Sequence, residues 1–202
     1  MTLSPRQSSL PPMTDPQLAA ALSHSTRVHI LSVVNTRIAS PSELAKELGE
    51  PVRNVSYHIE ILEQLECIEL VETRPKAGGR VTEHFYRGKV LQYLDQEAWD
   101  QLEAQGKWEV VIPIMRLISR DVNESLAGGT FLDPDDNHVS RTPMIVDAEG
   151  WEETKAILAD ALGRLMEVKE TVKERTVEDA PGTMAIKVEM IQFRSPDRDK
   201  EV

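Results

Sequence analysis

The sequence is poor in the residues that would point to several large classes of protein. It has one cysteine, Cys67, which excludes an internal disulfide framework and any site built from two thiolates of one chain. The longest run free of polar side chains, Val110 to Met115, falls far short of the roughly 20 residues that cross a bilayer, so no membrane partner is expected. The opening residues, 1–14, contain no apolar secretory stretch and read as a Ser/Pro-rich disordered tail, so a soluble, cytoplasmic protein is expected. Catalytic signatures are missing as well: there is no GxxxxGK phosphate loop, no GxGxxG, no HExxH and no GxSxG. The expectation is a protein that is not an enzyme and needs no cofactor.

Positive charge is scarce in one half only. The 202 residues carry a formal net charge of -11, yet residues 1–89 hold ten basic and ten acidic side chains, while 90–202 hold 13 and 24. The acidity therefore belongs to the second half, and whatever the first half binds need not be repelled by it.

The first half has the richer local signals. Asp15-Pro16 opens a helix whose apolar positions, Leu18, Leu22, Val28, Leu31 and Val34, carry it to about Asn35. Ser40-Pro41-Ser42-Glu43 has the composition of a capping box and starts a short helix ended by Gly49. After Pro51, the residues Val52, Val55, Ile59, Leu62 and Leu65 repeat at three and four, which puts them on one helical face. Arg53, Tyr57 and Gln64 then fall on the opposite face, flanked by Asn54 and Ser56. Ile68 to Thr73 and Val81 to Arg87 have strand composition around the turn residues Pro75 to Gly79, with Arg74, Lys76 and Arg80 making the tip basic. Helix, short helix, tight turn, helix and hairpin is the order of a winged helix-turn-helix. Such a fold presents the third helix to the major groove and the wing to phosphates.

The run Pro51-Val-Arg-Asn-Val-Ser-Tyr-His-Ile-Glu-Ile-Leu-Glu-Gln-Leu, with a hairpin ending Gly79-Arg-Val-Thr-Glu-His-Phe-Tyr-Arg87, resembles the ArsR-type winged helix regulators over about residues 15–89. The family's Ser-x-His-(Leu/Ile) run matches Ser56, His58 and Ile59. The resemblance implies a DNA-binding transcriptional regulator, usually a homodimer reading an inverted repeat in double-stranded DNA, and it adds His58 to the DNA-facing set. The expected DNA contacts are thus Arg53, Asn54, Ser56, Tyr57, His58, Arg74, Lys76 and Arg80. The family's metal sensors use a cysteine pair or later His and acidic ligands, which this sequence lacks, so no metal is expected. Cys67, between Leu65 and Ile68, reads as a small buried hydrophobe.

Residues 90–128 read as linking helices, Val90 to Leu102 and Pro113 to Leu126, the second broken off by Gly128-Gly129. Residues 129–202 read as an acidic, helix-rich α+β domain, with strand candidates Val139 to Val146 and Met184 to Phe193 around a helix from Glu149 to Val177. The overall class is α+β. On that helix Leu158, Ala161, Leu165, Val168 and Val172 form a heptad stripe, the candidate dimerisation contact, with the first helix as the alternative. An effector of unidentified chemistry belongs to this domain in the same reading. Asp133 to His138 imitates the start of a calcium loop, but His138 stands where glycine is required and Met144 where a bidentate Glu belongs. His24 and His29 diverge by about 140° on one helix and cannot share a metal alone. A winged helix serving as a protein-protein adaptor is the alternative function, and an enzymatic C-terminal domain a distant third.

Overall fold

The computed structural model describes residues 15–75, 82–90, 94, 96–132, 138–175 and 183–196. Lys76, Arg80, Val81 and the calcium-like loop residues 133–137 lie outside the described residues. The chain divides into two compact units, represented here by 15–132 and 138–196.

The first unit begins with two helices where the apolar pattern predicts one: α1 (Asp15–Leu22) and α2 (Ser25–Val34). The break is made by polar side chains. His24 adopts an extended N-cap conformation, and its Nδ1 accepts the Thr26 amide at 3.2 Å. The Arg27 guanidinium donates to the carbonyls of Ala20 and Ala21 at the end of α1, at 2.6 and 3.1 Å. Each helix end thereby gains side-chain partners across a two-residue joint.

Next comes α3 (Pro41–Leu48), whose capping box is complete: the Glu43 amide donates to Ser40 Oγ, and the Ser40 amide donates to Glu43 Oε2 at 3.0 Å. Gly49 ends it at φ +68, a conformation that costs glycine little. A two-residue turn leads to α4 (Val52–Gln64), with Pro51 as its N-cap. The antiparallel strands β1 (Ile68–Pro75) and β2 (Thr82–Gly88) form the hairpin, with a register shift between Leu70 and Glu72. Ala39 and Tyr86 exchange backbone hydrogen bonds of 3.1 and 2.9 Å, and the Lys89 amide donates to the Cys67 carbonyl at 2.8 Å, so the wing is tied to the helices at its base. Residues 15–90 are a winged helix-turn-helix.

Two expected helices differ in extent. The helix predicted over Val90 to Leu102 shrinks to α5 (Gln96–Gln101), and the one predicted from Pro113 starts earlier, as α6 (Ala104–Ala127). Pro113 suits a first turn by its own chemistry, but Val110, Ile114 and Leu117 continue one buried face across it, and that packing overrides the missing N–H. α6 therefore covers α1 and α2 and belongs to the core. Its Arg120 reaches His29 Nδ1 at 2.8 Å.

The second unit holds α7 (Ala148–Arg175), opened by Asp147, whose carboxylate accepts the Gly150 amide at 2.9 Å. The strand candidates over 139–146 and 184–193 are neither strand nor helix: among the described residues neither pairs with another strand. Gln192 Nε2 instead donates to Thr154 Oγ1 on α7 at 2.7 Å. Among the described residues, no helix is long and apolar enough to cross a membrane.

Candidate nucleic-acid interface

α4 is anchored by Val55, Ile59 and Leu62, all buried in the core with Leu44 of α3 and Val28, Ile30 and Leu31 of α2. Its outer face presents Arg53 and Tyr57, the latter 58% exposed, and Gln64. Asn54 and Ser56 sit half-buried on the flanks, and Asn54 Nδ2 donates to Glu50 Oε2 at 2.9 Å. Val52, expected on the buried face, is instead 49% exposed.

His58 requires a correction. It is only 4% exposed and packs on His24, ring centroids 4.2 Å apart and tilted by 36°, so it is not placed to contact DNA. The positions 55, 58, 59 and 62 follow the i, i+3, i+4, i+7 rule of a buried face, so the spacing itself carried this signal. Burial holds its imidazole down to a pKa of about 4, with His24 and Arg27 adding to the effect. Its Nδ1 has no hydrogen-bond partner among the described residues. The pair thus ties the joint between α1 and α2 to the middle of α4, a link that no local pattern announces.

The wing stands beside this face. Arg74 is engaged by Glu72 in a two-pronged ion pair of 2.7 and 2.8 Å, and its guanidinium carbon lies 4.2 Å from the centre of the Phe85 ring. The pairing holds the Glu72 carboxyl below its usual range. A cleft of about 370 Å³ runs between α3, α4 and β2, with Val52, Ser56, Glu60, Glu83 and His84 on its walls. Glu83 accepts the Ser40 hydroxyl at 2.8 Å, which joins the wing to the cap of α3.

Another tie lies at the base of the wing. A Cβ on Gly88 would run into the Asn35 side chain, whose Nδ2 donates to the Val90 carbonyl at 3.0 Å. Only glycine fits there without a shift. Cys67 is fully buried, and burial raises its thiol to a pKa of about 11, which leaves it protonated and unreactive near neutral pH. No group of three or more His, Cys, Asp or Glu among the described residues is gathered to hold a metal. The heptad residues Leu158, Ala161, Leu165 and Val172 of α7 are half-buried, and Val168 is exposed.

Comparison with known families agrees with this architecture. Residues 22–71, from the end of α1 into β1, match the sequence model of a helix-turn-helix domain. Among curated proteins we found no match to the chain.

Proposed function

We propose that this protein is a transcriptional regulator of the ArsR kind, which reads double-stranded DNA with α4, steadies itself on the backbone with its wing, and works in the cytoplasm as a homodimer on an inverted repeat. One observation carries the reading: within a helix-turn-helix, α4 is fixed by three buried apolar residues while Arg53 and Tyr57 face outward near its N-terminus. Arg53 offers paired donors to a guanine edge, and Ser56 and Asn54 offer adaptable donors and acceptors beside it. Arg74 reaches phosphate from the wing by exchanging Glu72 for the DNA backbone. Lys76 and Arg80 are assigned to phosphate on the sequence alone. The acidic second unit is the seat of any effector.

An adaptor role is the second reading, and one observation favours it. Glu60 and Glu63 are exposed on the same helix as Arg53, which is the sole cation of α4. Selection from random duplex DNA by the full-length protein separates the two readings, since an adaptor enriches no sequence. With the selected operator in hand, Arg53→Ala should cost about 1 to 3 kcal/mol and relax preference at one base pair. Equal weakening on every sequence would reassign Arg53 to phosphate.

A further inference from the structure

The last described segment of the second unit has the composition of a strand but no strand beside it. Residues 184–193 contain neither proline nor glycine, and Met184, Ile186, Val188 and Met190 alternate with Ala185, Lys187 and Glu189. Cover falls away along the even-numbered residues. Gln192 is half-buried and bonded to Thr154 on α7, Met190 is half-buried, and Val188, Ile186 and Met184 are 53%, 71% and 80% exposed. One end of the segment is thus tied to α7, while the other presents an apolar row that the described residues leave uncovered. The other strand candidate, 139–146, does not answer it: the two do not pair, and Pro143 lacks the amide that an inner strand must donate.

We propose that residues 184–193 of a second copy of this chain lie antiparallel beside this segment, the two-fold axis passing through Val188. The inference rests on the homodimeric part of the reading above and adds a contact within the second unit, apart from any pairing of the first. Charge selects both the partner and the register. Residues directly opposite one another in an antiparallel pair share a face. With the axis at Val188, Lys187 lies opposite Glu189 of the partner subunit on one face, and the match recurs on the far side of the axis. On the other face Val188 meets Val188 of the partner subunit, Ile186 meets Met190 of the partner subunit, and Met184 meets Gln192 of the partner subunit. Each uncovered end is therefore laid beside the half-buried end of the other copy. Moving the axis to residue 187 sets Lys187 on Lys187 of the partner subunit, and moving it to residue 189 sets Glu189 on Glu189 of the partner subunit. A parallel pair in register does both, and like charges directly opposite destabilise a ladder. The segment complements itself, which selects a second copy over an unrelated strand.

Disulfide trapping in the full-length protein without DNA tests the register. Directly opposite residues have Cα atoms about 4.5 to 5.5 Å apart, within disulfide reach, whereas diagonal neighbours at about 7 to 8 Å are beyond it. Under mild oxidation Val188→Cys should therefore be recovered as a cross-linked dimer. The wild type, whose Cys67 is fully buried, should not cross-link. Lys187→Cys alone and Glu189→Cys alone should each cross-link at least about tenfold less than Val188→Cys, and the two cysteines in one chain should restore the level to within about threefold. Positions 187, 188 and 189 are all exposed, so these changes leave α7 in place. In the Val188→Cys background, Lys187→Glu should slow cross-linking about tenfold by setting like charges opposite each other, and adding Glu189→Lys should restore it to within about threefold. Failure of Val188→Cys to cross-link, equal cross-linking by Lys187→Cys alone, or a charge swap without rescue would each overturn the proposal. Sedimentation equilibrium of the wild type separates the two levels of the argument. A monomer would overturn the homodimeric reading and this contact with it, whereas a dimer that Val188→Cys does not trap would overturn this contact alone.

Discussion

The two units reach helical structure by different routes. α4, with 13 residues, includes Val, Ile, Asn, Ser, Tyr and His, all modest helix formers, and is held because Val55, His58, Ile59 and Leu62 are buried. α7, with 28 residues rich in Ala, Glu, Leu and Lys, has no buried residue among those described in the second unit. Its support is mainly local, from its length and from contacts such as Lys155 to Glu152 at 2.9 Å, with the hydrogen bond from Gln192 to Thr154 as a tertiary tie. Stability in the first unit is therefore a matter of tertiary packing, and helicity in the second a matter of intrinsic propensity.

The largest expected effect tests that contrast directly. Leu62→Ala should cost about 2 to 5 kcal/mol, because it empties a site fully enclosed by the core. Leu158→Ala, at a half-buried site, should cost less than about 1 kcal/mol. Urea unfolding of the full-length protein, followed by far-ultraviolet circular dichroism, measures both. Equal losses would break the comparison and mean that α7 gains its burial from a partner.

The next effect depends on pH. Folded His58 resists protonation until about pH 4, whereas in the unfolded chain it takes up its proton near 6.5. Between those values the unfolded state binds more protons, so stability falls as the pH falls from about 6.5 to about 4, by up to about 3 kcal/mol. Above about 6.5 this contribution is level. Burial, followed by the charge of Arg27, lowers the pKa of His24 too and adds loss of the same sign. Denaturant midpoints across this range should show a shallower slope in His58→Leu than in the wild type, while the helical signal of α7 persists in acid. Parallel slopes would show that the stacked pair does not govern acid sensitivity.

What was legible in the sequence was local. The Ser40 to Glu43 box, Gly49, the paired strands and, apart from the exposed Val52, the buried face of α4 all follow from residues within a turn or two of one another. The joint between α1 and α2 was not legible, because its apolar spacing runs straight through and the break is made by the side chains of His24 and Arg27. Pro113 misled for the opposite reason: a strong local signal lost to packing on α1 and α2. The tie of Gly88 to Asn35 spans the whole domain and has no sequence signature. In the second unit, alternating residues such as Met184, Ile186 and Val188 favour a strand, but a strand exists only where another backbone answers it. Of the interface, Arg53, Tyr57 and the flanks of α4 fall on the outward side as their spacing requires, whereas His58 came from resemblance and landed in the core.

The smallest effect lies at the C-terminal end of α4, where the first unit carries its own backbone strain. Glu66 has φ +58, and among the described residues no other non-glycine residue has a positive φ. The geometry around it is a Schellman ending: the Cys67 amide donates to the Leu62 carbonyl and the Glu66 amide to the Glu63 carbonyl, both at 2.9 Å. Cys67 and Leu62 also meet in the core, as the motif's hydrophobic contact requires. The corresponding position after α3 is Gly49, at φ +68, and glycine is the residue that this conformation favours. A left-handed non-glycine residue costs about 1 to 2 kcal/mol, part of which glycine returns through the greater freedom of the unfolded chain. Glu66→Gly should therefore stabilise the first unit by about 0.5 to 1 kcal/mol while leaving the helical signal of α7 unchanged. The urea midpoint of the full-length protein is the readout. A fall in the midpoint would mean that the Glu66 side chain supports the end of α4 by more than its backbone strain costs, and an equal rise in the melting of α7 would mean that the two units unfold as one.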